Sequence, residues 1–71
     1  MIQPEVGKLY RHYKGNVYQV LAVGLHTETL EELVVYKAIS GDQVWIRPLK
    51  MWIETVKVNN ILTPRFTLIT S

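Results

Sequence analysis

The amino-acid sequence predicts one small all-β domain spanning residues 1–71, and three observations indicate it. Hydrophobic residues make up 48% of the chain against a net charge of only +2, a balance typical of a folded domain rather than a disordered chain. The apolar stretches are short and rich in valine, isoleucine and tyrosine, which fit a pleated sheet. Glycine and asparagine turn signals separate those stretches.

The first half of the chain reads as strands joined by tight hairpins. Gly15-Asn16 and Gly41-Asp42 suit two-residue type II′ turns, because glycine in the first position adopts a positive φ without strain. Each turn pair lies between two apolar stretches, as a hairpin requires. Over the whole chain, the expected strands cover residues 8–13, 17–26, 33–40, 43–47, 53–58 and 65–69.

The second half carries two further signals. Asn59-Asn60 tolerates positive φ and is expected to close a third hairpin. Pro48 lacks the N–H that a strand ladder needs, so the fourth strand ends there, and the stretch from Pro48 to Trp52 is long enough only for a 3₁₀ turn. Five to six short antiparallel strands, with a short 3₁₀ turn before the fifth, predict a small SH3-like barrel, whose closure removes exposed edges. An OB-like barrel is the alternative.

A register argument assigns two faces to this sheet. If the glycine turns are tight, Tyr10 lies opposite Leu21, and Ala38 lies opposite Trp45. The face then expected to form the core carries Leu9, Val20, Ala22, Gly24, Leu33, Val35, Ile39, Val44 and Ile46. The opposite face is mixed aromatic and basic, and either binds a ligand or packs against the C-terminal hairpin or another subunit. With Lys14 at its rim, this face supplies the candidate ligand-binding residues Lys8, Tyr10, His12, Lys14, Tyr36, Trp45 and Arg47.

The composition excludes several kinds of chemistry. Cysteine is absent, so there is no disulfide, no thiolate nucleophile and no cysteine-ligated zinc. The predicted register sets His12 and His26 roughly 23 Å apart along the sheet, too far to share one metal ion. No phosphate loop and no nucleophile elbow occurs in the sequence. We therefore expect no catalytic residue, no metal site and no cofactor.

Two polar groupings have structural interpretations. Glu28 beside His26 resembles an acid–base pair, but a turn capped by a neighbouring threonine such as Thr29 explains the same residues. Glu54 and Arg65 face each other if the third hairpin is tight, which predicts an ion pair worth about 0.2–1 kcal/mol.

Neither the N-terminus nor the hydropathy suggests a membrane protein. The N-terminus lacks the basic and then apolar pattern of a secretory signal. The longest apolar stretch, from Val20 to Leu25, is far shorter than the roughly 20 residues of a membrane helix. We expect a soluble, cytoplasmic protein without a membrane partner.

Several motifs, taken in order along the chain, together resemble one bacterial family. They are Tyr10 to Asn16, His26 to Thr29, Leu33 to Ala38, Trp45 to Pro48, Met51 and Arg65-Phe66. These linked motifs span nearly the whole chain, and they are similar to the domain-of-unknown-function family numbered 1653. The resemblance implies an SH3-type barrel and implies no activity. It directs attention to the polar motif residues Arg11, His12, Lys14, His26, Glu28, Tyr36 and Arg47.

The sequence favours a non-catalytic binding module that contacts nucleic acid or a peptide through its aromatic-basic face. Tyr36 and Trp45 would stack on the ligand, while Lys8 and Lys14 would contact phosphate or an acidic partner. The alternative is a homo-oligomeric assembly domain in which this face contacts another copy. An enzyme or small-molecule site around His12, Tyr36 and Arg47 is a third hypothesis, which lacks a nucleophile–base pair at a supported spacing.

Overall fold

The computed structural model describes residues 4–70, and the ends of the predicted domain, residues 1–3 and 71, lie outside that range. Short antiparallel strands dominate, which confirms the all-β class. No helix in the described range is long and apolar enough to cross a membrane. The elements are β1 Leu9–His12, β2 Val17–Leu25, β3 Glu32–Ala38, β4 Val44–Pro48, α1 Leu49–Trp52, β5 Thr55–Val58, β6 Ile61–Pro64 and β7 Phe66–Leu68.

Two sheets divide the strands. The larger has five strands in the order β4-β3-β2-β1-β7, and the smaller is the two-stranded hairpin of β5 and β6. β7 returns beside β1, with Phe66 opposite His12 and Leu68 opposite Tyr10. The outer strands of the larger sheet are β4 and β7, so strand pairing among the described residues does not close a barrel. A helix of four residues, α1, stands where the sequence predicts a 3₁₀ turn.

The first hairpin has a longer loop than the predicted two-residue turn. The N–H of Gly15 donates to the C=O of His12 at 2.7 Å, and Gly15 adopts a φ of +107°. This is the geometry of a type I turn followed by a glycine bulge, with a loop over residues 13–15. As a result Tyr10 pairs with Tyr18 rather than with Leu21.

A bulge in β2 changes the register between β2 and β3. Val20 pairs with Tyr36, but the next pair is Ala22 with Val35, so the register shifts between them. In the neighbouring pair, Trp45 of β4 lies opposite Tyr36, two residues from its predicted partner. A shift by an odd number of residues turns a strand over, so the first loop and the bulge in β2 decide which side chains face inward. The two-residue shift of β4 leaves its faces unchanged.

The two faces of the sheet have the opposite roles to those predicted. Of the face expected to form the core, only Val20 is buried, while Ile39, Val44 and Ile46 are exposed to solvent. The two-residue loop predicted from the sequence pairs Tyr10 with Leu21, three residues from its actual partner Tyr18. Because three is an odd number, the prediction assigned the side chains of β2 to the wrong face relative to β1. The buried hydrophobic side chains among the described residues are Tyr10, Val20, Val34, Tyr36, Leu49, Trp52 and Phe66.

Aromatic rings fill this interior. Trp52 and Phe66 stack in parallel, with ring centroids 3.6 Å apart and planes 4° from parallel. Tyr36 and Tyr10 meet Trp52 edge-on, at centroid distances of 4.9 Å and 5.5 Å. Such pairs contribute about 0.5–1.5 kcal/mol each beyond their buried area. A small domain without disulfides depends on efficient packing of this kind.

The third hairpin follows the sequence prediction. Asn59 and Asn60 both have positive φ, at 50° and 65°, and close the turn between β5 and β6. At its base Arg65 donates from Nη2 to Oε1 of Glu54 at 3.1 Å, which confirms the predicted ion pair. The backbone N–H of Arg65 also donates to the C=O of Glu54, at 3.0 Å.

The substitution Gly15→Ala should destabilise the domain by about 1–2 kcal/mol, because an alanine resists positive φ. The expected loss is conformational, since no described residue apart from the two chain neighbours of Gly15 lies within 4 Å of an added Cβ. Gly41→Ala is a matched control: its added Cβ is equally free, and Gly41 has no positive φ. Urea unfolding should show less than about 0.5 kcal/mol of change for the control. Equal losses in both variants would contradict this account of the first turn.

The two tryptophans should differ sharply in their contribution to stability. Trp52 is 4% exposed and Trp45 is 51% exposed. Trp52→Ala should cost about 3–5 kcal/mol and leave a largely unfolded chain, because it removes a buried ring from the stack. Trp45→Ala should stay within about 1 kcal/mol of the parent. Thermal unfolding followed by circular dichroism measures both, and a Trp52→Ala variant as stable as Trp45→Ala would refute the assignment of the core.

Candidate functional site

An open groove at the β4 side of the sheet gathers three of the predicted ligand-binding residues. Its volume is about 230 Å³, and Tyr18, Tyr36, Trp45 and Arg47 line it. Tyr36 and Trp45 are cross-strand partners on β3 and β4. Trp45 and Arg47 are two residues apart on one strand, so their side chains project from the same face. The pairing of β3 with β4 therefore brings Tyr36, Trp45 and Arg47 together in the groove.

Two contacts hold Arg47 in place. Its Nε donates to the hydroxyl of Tyr36 at 3.2 Å, and its guanidinium carbon lies 5.7 Å from the centroid of the Phe66 ring. Both partners are buried, so the arginine rests on the aromatic core. Within the described part of the chain its terminal amino groups have no hydrogen-bond partner. They are free to bind an anion, for which the planar guanidinium fork is well suited.

The aromatic rings of the groove differ in exposure. Tyr18 is half-buried, and its ring meets those of Tyr36 and Phe66 edge-on, at 5.3 Å and 6.0 Å. Trp45 keeps about half of its surface open to solvent. A rigid exposed ring beside a fixed guanidinium offers a stacking surface together with a positive charge.

His12 lies next to this groove in a positively charged environment. Its Nδ1 accepts the N–H of Lys14 at 3.2 Å, and its ring packs 5.0 Å from that of Phe66. Burial, followed by the positive charges of Arg47, Arg65 and Lys14, lowers the pKa of His12 below its ordinary value of 6.5. The effect on the histidine shows that the three cations act on one region of the surface.

Two of the predicted ligand-binding residues lie elsewhere. Tyr10 is buried, and its hydroxyl accepts the N–H of Glu5 at 2.8 Å. Lys8 is exposed and precedes β1, about 13 Å along the strand from His12. The structure thus brings Tyr36, Trp45 and Arg47 together with His12 and Lys14 beside them. It does not bring Lys8 or Tyr10 to the groove.

Sequence reasoning missed Tyr18 and Arg65. Tyr18 enters the groove because the first loop covers residues 13–15, and glycine in the third loop position was the available signal. For Arg65, the sequence indicated only the ion pair with Glu54 and gave no sign of a place near the groove. In the fold its Nε is buried without a hydrogen-bond partner among the described residues, and its charge reaches His12.

The remaining polar grouping, around His26, shapes a loop. Nδ1 of His26 accepts the N–H of Glu28 at 3.1 Å and that of Thr29 at 3.2 Å. The hydroxyl of Thr29 accepts the N–H of Glu31 at 3.2 Å. These bonds stabilise the β2–β3 connection. Thr29 accepts one of the turn N–H groups, as the capping interpretation predicts, but His26 rather than a threonine accepts the other two, and residues 27–31 form a turn without a helix. Within residues 4–70, no three His, Cys, Asp or Glu side chains are placed to hold a metal ion.

Comparison with known proteins agrees with the motifs. The family model described as "Protein of unknown function (DUF1653)" matches residues 8–68. The chain belongs to the DUF1653 family. A crystal structure of a DUF1653 protein from Bordetella bronchiseptica is similar, with a TM-score of 0.80 and 34% identity, covering 92% of this chain and 87% of that one. No curated protein matches the sequence. The matched residues of this DUF1653 protein include the whole groove.

The lowered pKa of His12 predicts a specific pH dependence of folding. The unfolded chain binds more protons than the folded one just below pH 6.5, so stability should fall as the pH drops below that value. His12→Asn keeps an acceptor for the Lys14 N–H and should abolish this part of the pH dependence. Urea unfolding from about pH 5 to pH 7.5 measures both proteins. Parallel pH profiles for the two would show that His12 is not responsible.

Proposed function

We propose that this domain is a non-catalytic binding module that holds single-stranded nucleic acid in the groove. The supporting observation is the exposed ring of Trp45 beside the fixed guanidinium of Arg47. One base stacks on Trp45 while the adjacent phosphate binds the free amino groups of Arg47. Stacking of this kind contributes about 1–3 kcal/mol per base and tolerates any sequence, because every base has a π face.

The charge distribution supports an anionic ligand. Three cations act on His12, and one of them, Arg65, is partly neutralised by Glu54. Arg47 and Lys14 are left as the main phosphate contacts. The net charge of the whole chain is only +2, so a short ligand and modest affinity are expected. With two phosphates neutralised, log K should fall with log salt at a slope of about −1.4.

An extended peptide is a second candidate ligand. One observation favours it: β4 is an outer strand of the sheet and directly borders the groove. A peptide can add to such an edge through backbone hydrogen bonds. A peptide ligand would bind with little dependence on salt unless it is acidic, which separates it from nucleic acid.

Titration of the ¹⁵N-labelled domain with short single-stranded RNA and DNA at two salt concentrations tests the proposal. Amide shifts should centre on residues 12–18 and 45–47 and shrink at high salt. Trp45→Ala should weaken binding by about 1–3 kcal/mol, and Arg47→Ala should also flatten the salt dependence. Ile61→Ala, at a more exposed apolar site on the third hairpin, is the control for Trp45.

The lysines give a matched pair within the same experiment. Lys14→Ala should weaken binding, because Lys14 lies beside the groove. Lys8→Ala removes the same charge at the far end of β1 and should leave the affinity nearly unchanged. Equal losses in both variants would indicate a diffuse charge effect rather than this groove. Saturable binding of a peptide without any response to RNA or DNA would replace the proposal by the second candidate.

A further inference from the structure

Strand β4 is an edge strand with few of the usual protections. It bounds the five-stranded sheet, and its residues Val44, Trp45 and Ile46 are 44%, 51% and 64% exposed. Natural sheets blunt such edges with charged residues, proline or bulges, and here these features appear only at the end, as Arg47 and Pro48. The other outer strand, β7, has only three residues and offers little to pair with.

The hydrogen-bond pattern decides which backbone groups of β4 are open. In an antiparallel ladder, alternate residues direct both backbone groups towards the same neighbouring strand. The N–H of Ile39, just beyond β3, donates to the C=O of Val17 at 3.2 Å, so odd-numbered residues of β3 face β2. Even-numbered residues of β3 therefore face β4, and Tyr36 bonds with its partner Trp45.

The same alternation turns residues 44, 46 and 48 of β4 outward. Pro48 agrees with this assignment, because proline is tolerated in a sheet where its missing N–H would point away from the neighbouring strand. Ile46 presents an N–H and a C=O at the open edge, and Pro48 presents a C=O. Val44 presents an N–H, while its C=O accepts Nε2 of Gln43 at 3.1 Å. These groups form a template for one more strand.

We propose that two copies of this chain pair antiparallel through β4, around a two-fold axis at Ile46. This register is the one that keeps every residue of Val44–Pro48 paired within the strand. Ile46 exchanges a pair of hydrogen bonds with its counterpart, and the N–H of each Val44 meets the C=O of Pro48 in the other copy. Pro48 has no N–H to return to Val44, whose C=O accepts Nε2 of Gln43 at 3.1 Å instead.

Side chains across this pairing are complementary. On the exposed outer face Ile46 meets Ile46, and Val44 meets Pro48, all of them apolar. On the groove face Trp45 lies opposite Arg47 of the second copy, which makes a favourable ring–cation pair. No like charges face each other, a match that favours a second copy as the occupant of this edge. A register centred on Trp45 would instead pair Arg47 with loop residues.

In this dimer each groove gains a second arginine and the two grooves join across the axis. The joined site rests on the proposed function, whereas the strand pairing does not. Each copy contributes one short strand to the interface, so the surface it buries is smaller than the roughly 800 Å² per partner that is typical of a stable complex. We therefore expect a weak dimer, with a dissociation constant in the micromolar to millimolar range.

Sedimentation equilibrium of the full chain without nucleic acid, from about 10 µM to about 1 mM, tests the pairing. The parent protein should show a monomer–dimer equilibrium. Ile46→Lys should raise the dissociation constant by about tenfold or more, because two lysines would meet at the axis. Ile61→Lys makes the same change at an isoleucine that is 66% exposed on β6, and should dimerise like the parent. A monomeric parent, a dimeric Ile46→Lys, or equal losses in both variants would overturn the proposal.

Ile46→Pro separates the pairing from the joined site without adding charge. It removes one outward N–H, as Pro48 already does, and the amide spectrum reports whether the fold is kept. Loss of the dimer with weaker RNA binding supports both inferences. Loss of the dimer with unchanged RNA affinity supports the pairing and overturns the joined site. If the parent protein dimerises but binds neither RNA nor DNA, the proposed function is refuted and the strand pairing is supported.

Discussion

The parallel stack of Trp52 on Phe66 is the contact on which the rest of this small fold depends. Trp52 belongs to the helix that follows β4, and Phe66 belongs to the strand that returns beside β1. The stack therefore ties the two ends of the five-stranded sheet to one another through side chains, where backbone pairing does not join them. Tyr36 packs against both rings and so links β3 to the stack.

The candidate site is an extension of this aromatic core. Arg47 is held by the hydroxyl of Tyr36 and lies over the ring of Phe66, both of which are buried. A guanidinium fixed in this way loses little side-chain freedom when it binds a ligand, which favours affinity. The same arrangement couples binding to stability, because a change that loosens the stack also displaces the arginine.

The open edge at β4 follows from the same architecture. The stack joins α1 to the outer strand β7 through side chains only, and the backbone of β4 has no neighbouring strand on its outer side within the described residues. The ring of Trp45 lies on the groove face of that strand, and Ile46 lies on the opposite face. Ligand binding and self-pairing are thus proposed for adjoining surfaces of one strand, the first through side chains and the second through the backbone.

The sequence by itself determined the all-β class, the turn at Asn59-Asn60, the ion pair of Glu54 with Arg65 and the family. The turn and the ion pair depend on local chemistry, namely the tolerance of asparagine for positive φ and the spacing across a tight hairpin. The grouping of Tyr36, Trp45 and Arg47 was also predictable, because the shift in β3–β4 register was an even number of residues and left the faces unchanged.

Only the tertiary structure decided which face became the interior. Both faces carry enough hydrophobic residues to form a core, so the alternation pattern alone cannot choose between them. The choice depended on the loop at Gly15 and the bulge after Val20, each of which shifts the register by an odd number of residues. With that register the large rings of Tyr10, Trp52 and Phe66 bury one another, and their greater buried area and ring contacts outweigh the smaller aliphatic side chains left outside.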